Sequence, residues 1–255
     1  MKKLLLPLAI VFAGSIGLRA SVLFSDTFTY PNGSLTNGND GWLQNGTSAA
    51  TPIQVTAAKA VLGTSGQDVN AALPGGAYTL INGSSIYLGA TINVTSAQSS
   101  GDYFLHWAPA TGSTIFISRT EIRKDVGGLG FNVGLIQTAS ATVSWGSGVY
   151  TFGQDYRLVV GFNSVSGTLN DTGDVWVNGT QEVNGAVWSP SANAEPTVLG
   201  SINLRQGSAS AAAALSVDDL IVATTYNEAA LVPEPSCLAL SALGLLALGL
   251  IRRRN

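Results

Sequence analysis

The chain has 255 residues, of which 45% are hydrophobic and 11% charged, and its formal net charge is −3. This apolar content excludes global disorder, which requires low hydrophobicity and a high net charge. Because the sequence contains one cysteine and one histidine, it also excludes an intramolecular disulfide framework and a metal centre built from several thiolates or imidazoles.

The amino-terminal segment is typical of a secretory signal peptide. Two lysines precede an apolar run from Leu4 to Leu18, and Arg19 and Ala20 follow it. A cationic start before about fifteen apolar residues directs export, whereas a membrane-spanning helix needs about 20. We therefore expect a signal helix over residues 1–20, cleavage by signal peptidase after Ala20, and a mature domain over residues 21–231.

The mature domain shows the turn chemistry and the periodicity of short β-strands. Asn-Gly pairs, which favour tight hairpin turns, occur at six places. From Ile86 to Val94 every second residue is apolar, as in an antiparallel strand with one buried face. In chain order, strands are predicted over Val22–Phe28, Pro52–Val55, Ile86–Val94, Tyr103–Trp107, Thr114–Ser118, Leu129–Leu135, Tyr156–Phe162, Asp174–Val177, Val198–Leu204 and Leu215–Val222. So many short strands in one block predict a two-sheet antiparallel sandwich.

The same region resembles the concanavalin A-like (laminin-G-like) jelly-roll domains of exported bacterial proteins. The opening Phe24–Leu35, followed by Gly41 and Trp42, carries the first part of the resemblance. Three later segments look like strands of that fold: Tyr156–Val160, Asp174–Asn178 and Val217–Val222. The resemblance implies an all-β jelly roll over nearly the whole mature domain.

The charge of the mature domain argues against a nucleic-acid partner. Six basic and fourteen acidic side chains give residues 21–231 a charge of −8. Nucleic-acid affinity requires clustered Lys and Arg side chains, and Arg119, Arg123 and Lys124 are too few for such a surface.

No catalytic constellation is recognisable in this domain. A glycoside hydrolase needs two carboxylates about 5–10 Å apart, whereas Glu121 and Asp125 on one strand face would lie about 13 Å apart. We interpret that pair as a solvated hairpin tip. His106 is a candidate base for a serine nucleophile, but the sequence contains no Gly-x-Ser-x-Gly, so a structural histidine is favoured. We therefore expect a domain that is not an enzyme.

Two candidate ligand sites remain. The laminin-G-like resemblance implies calcium held by Asp, Asn and backbone oxygens, and Asn170, Asp171 and Asp174 offer such oxygens in one loop. The competing interpretation of that loop is an Asx-type turn. Trp145 and Trp188, beside Gly/Ser or Pro/Ser residues, are the candidate exposed platforms for a carbohydrate, although most large aromatic side chains pack in cores. Calcium is the candidate cofactor.

Residues 232–255 form a separate segment. They contain, in order, Pro233, Glu234, Pro235, an apolar run from Cys237 to Ile251, and Arg252, Arg253 and Arg254. This segment resembles the PEP-CTERM sorting signal of Gram-negative bacteria. The resemblance implies processing by an exosortase-type membrane enzyme and delivery to the cell surface, usually with exopolysaccharide. The apolar run predicts a hydrophobic transmembrane helix that, at fifteen residues, is short for a full membrane span, with the arginines on the cytoplasmic side.

Together these features predict an exported cell-surface or extracellular-matrix protein that is non-catalytic and contacts polysaccharide. Its expected partners are signal peptidase, the exosortase-type enzyme, the membrane and exopolysaccharide. Two alternatives stay open: a polysaccharide-active hydrolase or lyase with an unrecognised carboxylate pair, and a purely structural coat protein.

The two terminal segments generate a processing prediction. Protein isolated from its native host should lack residues 1–20 and part or all of the segment after Ser236, because both would be cleaved during export and sorting. Intact-mass measurement tests this directly. A mature species that retains Arg252–Arg254 would contradict the sorting signal and leave a plain membrane anchor.

Overall fold

The computed structural model describes residues 22–37, 41–46, 51–138, 142–188 and 194–232. The predicted signal helix over 1–20 lies outside these ranges, as does the tail from Pro233 onward with its sorting motif and predicted hydrophobic helix. Within the described ranges, no helix is long and apolar enough to cross a membrane.

The described residues form short strands and one short helix. In chain order these are β1 (Val22–Asp26), β2 (Gly33–Ser34), β3 (Trp42–Asn45), β4 (Gln54–Thr56), β5 (Lys59–Leu62), β6 (Asp68–Ala72), β7 (Tyr78–Thr79), β8 (Ser85–Ser96), β9 (Asp102–Ala108), β10 (Ile117–Lys124), β11 (Gly130–Ile136), β12 (Ser144–Trp145), β13 (Tyr150–Thr151), β14 (Asp155–Asn163), β15 (Thr172–Val177), β16 (Thr180–Val187), β17 (Val198–Leu199), β18 (Ser201–Leu204), β19 (Ala214–Ala223) and α1 (Tyr226–Ala230).

Two antiparallel sheets make up the body of the domain. Sheet A has nine strands in the order β16-β15-β14-β8-β19-β5-β4-β2, with β1 also paired to β19. Sheet B has eight strands in the order β12-β11-β10-β9-β18-β6-β3, with β13 also paired to β11. β7 and β17 form a small third sheet. The predicted all-β, two-sheet antiparallel architecture is therefore confirmed.

The core lies between the two sheets and follows the period of two in each strand. In β8, Ile86, Leu88, Ala90, Ile92 and Val94 are all buried, as their alternation predicts. The largest fully buried side chains include Trp42, Trp107, Trp188, Phe28, Phe131 and Phe162. Since inward positions are filled by apolar side chains, each sheet presents its remaining positions on an outer face.

The position of β10 corrects one strand prediction. The strand expected over Thr114–Ser118 instead spans Ile117–Lys124, so Glu121 lies inside a strand and not at a solvated hairpin tip. The tip begins at Asp125, whose carboxylate accepts hydrogen bonds from the backbone of Gly127 at 2.8 Å and of Gly130 at 2.6 Å. The carboxylate thus caps a turn of small residues, and the charged run before it stays in the strand.

Trp188 also differs from its prediction. We expected an exposed ring beside a Pro/Ser loop, but the side chain is 1% exposed and belongs to the core. Its backbone N–H donates to the carbonyl of Asp171 at 2.8 Å. This bond extends the pairing of β15 with β16 by one residue and directs the ring inward. Trp188 therefore presents no ring face to a carbohydrate.

Helix α1 closes part of the outer face of sheet A. Thr225 caps its amino end by accepting from the backbone of Glu228. Gly89 of β8 lies directly beneath the helix, because a Cβ there would come within 1.8 Å of the Ala229 carbonyl oxygen. Arg157 donates to that same carbonyl and, at 2.7 Å, to the carbonyl of Asp219. The cationic side chain thus fastens the helix to sheet A.

The two tryptophans give a matched test of the core. Trp188→Ala should lower the free energy of unfolding by about 3–5 kcal/mol, because it opens a cavity in the core. Trp145→Ala, on the outer face of sheet B, should cost about 1 kcal/mol through its lost contact with Arg123. Urea denaturation of the full chain measures both values. Equal costs would contradict the placement of the two rings.

Candidate functional site

The outer face of sheet B carries a row of cross-strand partners over four strands, and three of the four side chains are polar. Leu43 of β3 is paired in register with Asn70 of β6, Asn70 with Asn203 of β18, and Asn203 with His106 of β9. Cross-strand partners point to the same face, so these four side chains form one continuous line. Asn70, Asn203 and His106 are at most 2% exposed, which is unusual for polar groups on the outside of a sheet.

Asn45, Asn70 and Asn203 together form what we call the amide row. Asn45 Nδ2 donates to Asn203 Oδ1 at 3.4 Å, and Asn203 Nδ2 donates to Ser201 Oγ at 3.3 Å. Asn70 Oδ1 is buried and has no hydrogen-bond partner among the described residues. The row therefore contains one buried acceptor without a partner among the described residues.

Irregular pairing between β9 and β10 places further polar and ionisable side chains on this face. The register passes from Ile117↔Trp107 to Thr120↔Leu105 and then to Glu121↔Tyr103, so each strand holds one extra residue. Ser118, at the shift in β10, has a φ of 48°. Such bulges re-aim side chains. Here they leave Tyr103, His106, Arg119 and Glu121 on the outer face.

Three arginines surround Tyr103 and its neighbours, and we call them the arginine cluster. The guanidinium of Arg119 lies 4.9 Å from the centre of the Tyr103 ring, and that of Arg205 lies 4.1 Å from it. Arg205 is held by Asp102 at 2.7 Å. The third member, Arg123, stacks 4.2 Å from the centre of the Trp145 ring. The cluster concentrates positive charge on one face of an acidic domain.

His106 is buried at the centre of the face. Its ring centre lies 4.6 Å from that of Phe116 and 5.4 Å from that of Tyr103. Burial, followed by the positive charges of Arg119 and Arg205, lowers the pKa of His106 to about 3. The imidazole is therefore neutral near pH 7, with one N–H donor and one acceptor nitrogen.

Several polar atoms on this face lack partners. Neither nitrogen of His106 has a hydrogen bond among the described residues, and Nε of Arg119 has none either. A buried donor or acceptor left unpaired costs about 1–3 kcal/mol, and such groups in a native structure need an explanation. A functional role and an ordered water or ion are among the explanations for such groups.

Glu121 lies in register with Tyr103 on one side and with Gly134 on the other. The side chain is 7% exposed. Burial and the nearby charge of Asp102 raise the pKa of Glu121 to about 7, against the opposing effect of Arg119 and Arg205. The carboxyl group therefore titrates near neutral pH and can hold a proton there.

Trp145 lies at the edge of the same face. The residue is partly buried, and its ring passes so close to the backbone that a Cβ at Gly134 would come within 2.7 Å of it. Arg123 beside it donates from Nε to Asn132 Oδ1 at 3.4 Å. Carbohydrate binding by Trp145 stays a prediction, now located beside the arginine cluster.

The residues of the predicted calcium loop lie before and within β15 of sheet A and not on this face. Asp171 Oδ1 accepts from the backbone of Val165 at 2.8 Å. Asp174 accepts from Asn163, Gly185 and Gln181, and Asn170 donates from its side chain to the carbonyl of Ser166. The described ranges contain no group of three or more His, Cys, Asp or Glu side chains placed to hold a metal ion. Calcium binding at Asn170, Asp171 and Asp174 stays a prediction.

Sequence reasoning missed most of this face. Asn70, Tyr103, Arg119, Asn203 and Arg205 were not predicted as site residues, and they come from segments widely separated along the chain. One local signal was present: Arg119, Glu121 and Arg123 alternate with the buried Thr120 and Ile122. That alternation places three charged side chains on one face of one strand.

Comparison with known proteins supports the fold. No protein-family model matches the chain, and no curated protein matches it. Among solved structures it is similar to a double mutant of the alginate lyase Aly36B in complex with an alginate tetrasaccharide, with a TM-score of 0.52 and 16% identity, over 80% of this chain and 98% of that chain. A second Aly36B double mutant, in complex with an alginate trisaccharide, gives a TM-score of 0.51 and 14% identity, over 80% of this chain and 100% of that chain. The shared fold supports the predicted jelly-roll sandwich.

The expectation that the domain is not an enzyme is wrong. Two solved structures that superpose on it are of an enzyme, the alginate lyase Aly36B. That expectation followed from a search for carboxylate pairs along one strand and for a serine nucleophile. The titratable groups of sheet B instead come from neighbouring strands, where spacing along the sequence does not reveal them.

Glu121 gives a pH-dependent test of the site. Between pH 4.5, the usual pKa of the side chain, and about 7 the folded state holds the proton that the unfolded state has released. The free energy of unfolding therefore falls as the pH rises through this window. Glu121→Gln has no ionisable group at this position and does not show this loss. The free energy of unfolding of the variant minus that of the wild type should therefore rise by about 3 kcal/mol between pH 4.5 and pH 7.

Urea unfolding at several pH values measures this difference. His106 is present in both proteins, so its own opposite pH dependence cancels in the comparison. A difference in stability that stays constant from pH 4.5 to 8 would show that Glu121 ionises as an exposed carboxylate does.

Proposed function

We propose that the protein is a polysaccharide-active enzyme whose site is the outer face of sheet B and whose substrate carries carboxylate groups. The observation that carries this proposal is the arginine cluster beside the buried, unpartnered His106. The fold that the domain shares with alginate lyases also supports a polysaccharide-active enzyme. This proposal takes up the enzymatic alternative that the sequence left open.

The distribution of charge favours an anionic ligand. Three of the six basic side chains of the mature domain lie in the arginine cluster, although the domain as a whole carries a charge of −8. Lys59 pairs with Asp155 at 3.3 Å, and Arg157 fastens α1, both on sheet A. Arg119 makes no salt bridge within the described ranges. A guanidinium fits the planar, bidentate geometry of a carboxylate.

The titratable groups favour elimination over hydrolysis. Hydrolysis of a glycosidic bond needs two working carboxyl groups, but Asp102 is engaged by Arg205 and by the backbone of Ser208. Among the described residues, Glu121 is then the one carboxyl group beside Tyr103 that has no ion pair or hydrogen bond of this kind. β-Elimination needs a different set: a cation on the sugar carboxylate, a base for the adjacent carbon-bound proton, and an acid for the leaving oxygen.

The residues of the face match those three roles. Arg119 and an N–H of the neutral His106 imidazole would bind the sugar carboxylate. Glu121, which is partly ionised near neutral pH because its pKa is about 7, would accept the proton from the carbon next to that carboxylate. The electron pair released forms a carbon–carbon double bond as the bond to the leaving oxygen breaks. Burial raises the pKa of Tyr103, so its phenol keeps a proton that it can donate to that oxygen. One chain end then carries an unsaturated uronate.

We also propose that this site works outside the cell. The cationic and apolar start of the chain and the Pro-Glu-Pro, apolar and arginine segments at its end support export and sorting to the surface. A site for carboxylated polysaccharide suits that location, because exopolysaccharides surround the cell there.

The proposal predicts the formation of unsaturated uronate by the full chain. Alginate, polygalacturonate and glucuronate-containing polymers are incubated with the protein, and the ultraviolet absorbance of the new double bond is followed. Arg119→Ala and His106→Ala should each lower kcat/KM by about 10²–10⁴-fold, because each removes a group that acts in the transition state. Lys59→Ala, on the opposite sheet, is the matched control and should leave kcat/KM unchanged.

Thermal unfolding confirms that each variant is folded. New reducing ends without unsaturation would show a hydrolase and overturn the elimination. Unsaturated product formed equally fast by the His106 and Arg119 variants would place the active site elsewhere on the molecule.

A further inference from the structure

The turn between β10 and β11 carries the two most exposed large apolar side chains of the described residues. Val126 is 100% exposed and Leu129 is 83% exposed. Val149, which is 57% exposed, lies beside the base of this turn, because a Cβ at Gly130 would come within 3.2 Å of its Cγ1. We call Val126, Leu129 and Val149 the apolar tip. Single exposed apolar side chains are ordinary, whereas several at one place indicate an interaction surface.

The hydrogen bonds of this turn keep its apolar side chains outside. The carboxylate of Asp125 accepts from the backbone N–H of Gly130 at 2.6 Å and of Gly127 at 2.8 Å. The backbone carbonyl of Asp125 accepts from the N–H of Gly128 at 3.0 Å. The carboxylate therefore fills the inside of the turn. Because three N–H groups of the turn are already paired, moving it into less polar surroundings costs less than for an open loop.

Three other loops lie beside this turn, at the same end of the sandwich. Lys124 donates its backbone N–H to the carbonyl of Gln98 at 2.9 Å, and the N–H of Gly153 donates to the carbonyl of Val94 near the end of β8. The hydroxyl of Ser100 donates to the carbonyl of Ser210. We call this end of the sandwich the tip end, and its four loops are Ala97–Gly101, Asp125–Leu129, Phe152–Gln154 and Gly207–Ala213.

The tip end carries little negative charge, although the mature domain carries −8. Asp125 is the one acidic residue in the four loops, and the acidic residues that follow two of them each form a salt bridge. Lys124 lies beside the turn, because a Cβ at Gly128 would be 3.8 Å from its Nζ. An apolar tip next to a cation suits an anionic lipid surface, where apolar side chains enter the boundary of headgroups and acyl chains and the ammonium attracts the headgroups.

The described chain also leads toward the tip end where it leaves the fold. The ring of Tyr226, at the start of α1, lies 6.2 Å from that of Tyr87, and Ala229 lies over Gly89. Helix α1 therefore runs in the direction of β8, which ends at the tip end. The described residues stop two positions after α1, and the predicted apolar run begins at Cys237, five positions later. Five residues span at most about 18 Å, so a membrane that holds the apolar run is within reach of the tip end.

We propose that the apolar tip enters the surface of an anionic lipid membrane and holds the tip end of the domain against the bilayer in which the carboxyl-terminal segment is inserted. Each contact strengthens the other, because a domain held at the surface by one anchor meets it at a high effective concentration through the second. This inference goes beyond the proposed function and does not depend on it, since a domain without lyase activity would dock in the same way.

A fluorescent label shows which end of the domain meets the bilayer. The chain is prepared from Ser21 onward, the form expected after export, and carries Cys237→Ser together with either Leu129→Cys or Ile81→Cys. Each single cysteine is labelled with an environment-sensitive dye. Ile81 is the matched control, because it is 66% exposed and precedes the start of β8, at the opposite end of the sandwich.

The two labels should respond differently to vesicles of phosphatidylglycerol and phosphatidylcholine. Emission of the Leu129→Cys dye should shift to the blue, and nitroxide-labelled lipid should quench it about threefold or more strongly than the Ile81→Cys dye, because a tip of this kind lies about 5–10 Å deep. Val126→Asp, at a fully exposed position, adds a charge to the tip and should remove most of that quenching. Vesicles of phosphatidylcholine alone should also lower it, because Lys124 then loses its anionic partners.

The outcomes are distinct. Equal quenching of the two dyes on vesicle-bound protein would overturn docking through the apolar tip, and so would quenching that Val126→Asp leaves unchanged. A chain that does not bind the vesicles would overturn the inference together with the predicted membrane segment. Elimination activity is measured on the unlabelled protein without vesicles, so its absence would contradict the proposed function alone.

Discussion

The burial of one face of each sheet against the other is the constraint on which the rest of the molecule depends. Inward positions such as Ile92, Phe131 and Ile202 must be apolar, because they form the common core. The period of two then assigns every intervening residue to an outer face. On sheet A that face is partly closed by α1, with Gly89 allowing the close approach of the Ala229 carbonyl. On sheet B the outward residues include the buried polar groups Asn70, His106 and Asn203.

A sandwich with regular pairing would not produce this site. The two register shifts between β9 and β10 add one residue to each strand, so that Phe104 and Leu105 are both buried and Tyr103 and His106 both point outward. Ser118, in the left-handed region at φ 48°, adopts a conformation that is unfavourable for a side chain with a Cβ. Strain of this kind is retained where the surrounding structure enforces it, and it is concentrated at functional sites.

The sequence predicted the parts of the fold that follow from local rules. The alternation in β8 and the Asn-Gly turn at Asn178, which joins β15 and β16, are both present because periodicity and turn chemistry are properties of neighbouring residues. β3 and β6 were missed, since Trp-Leu-Gln-Asn and Asp-Val-Asn-Ala-Ala are too short to show a period. The site could not be predicted in the same way, because Asn70, His106 and Asn203 meet only through the strand order β9-β18-β6.

The energetic cost of this face indicates why its polar groups are not replaced by apolar ones. Each unpaired buried atom on His106, Asn70 and Arg119 lowers stability by about 1–3 kcal/mol, and the raised pKa of Glu121 records a similar cost for a buried carboxyl group. Apolar side chains of the same shape would avoid these losses. The core between the sheets compensates for them and keeps the groups in place. A ligand that supplied the missing partners would recover this cost, and the proposed function depends on that gain.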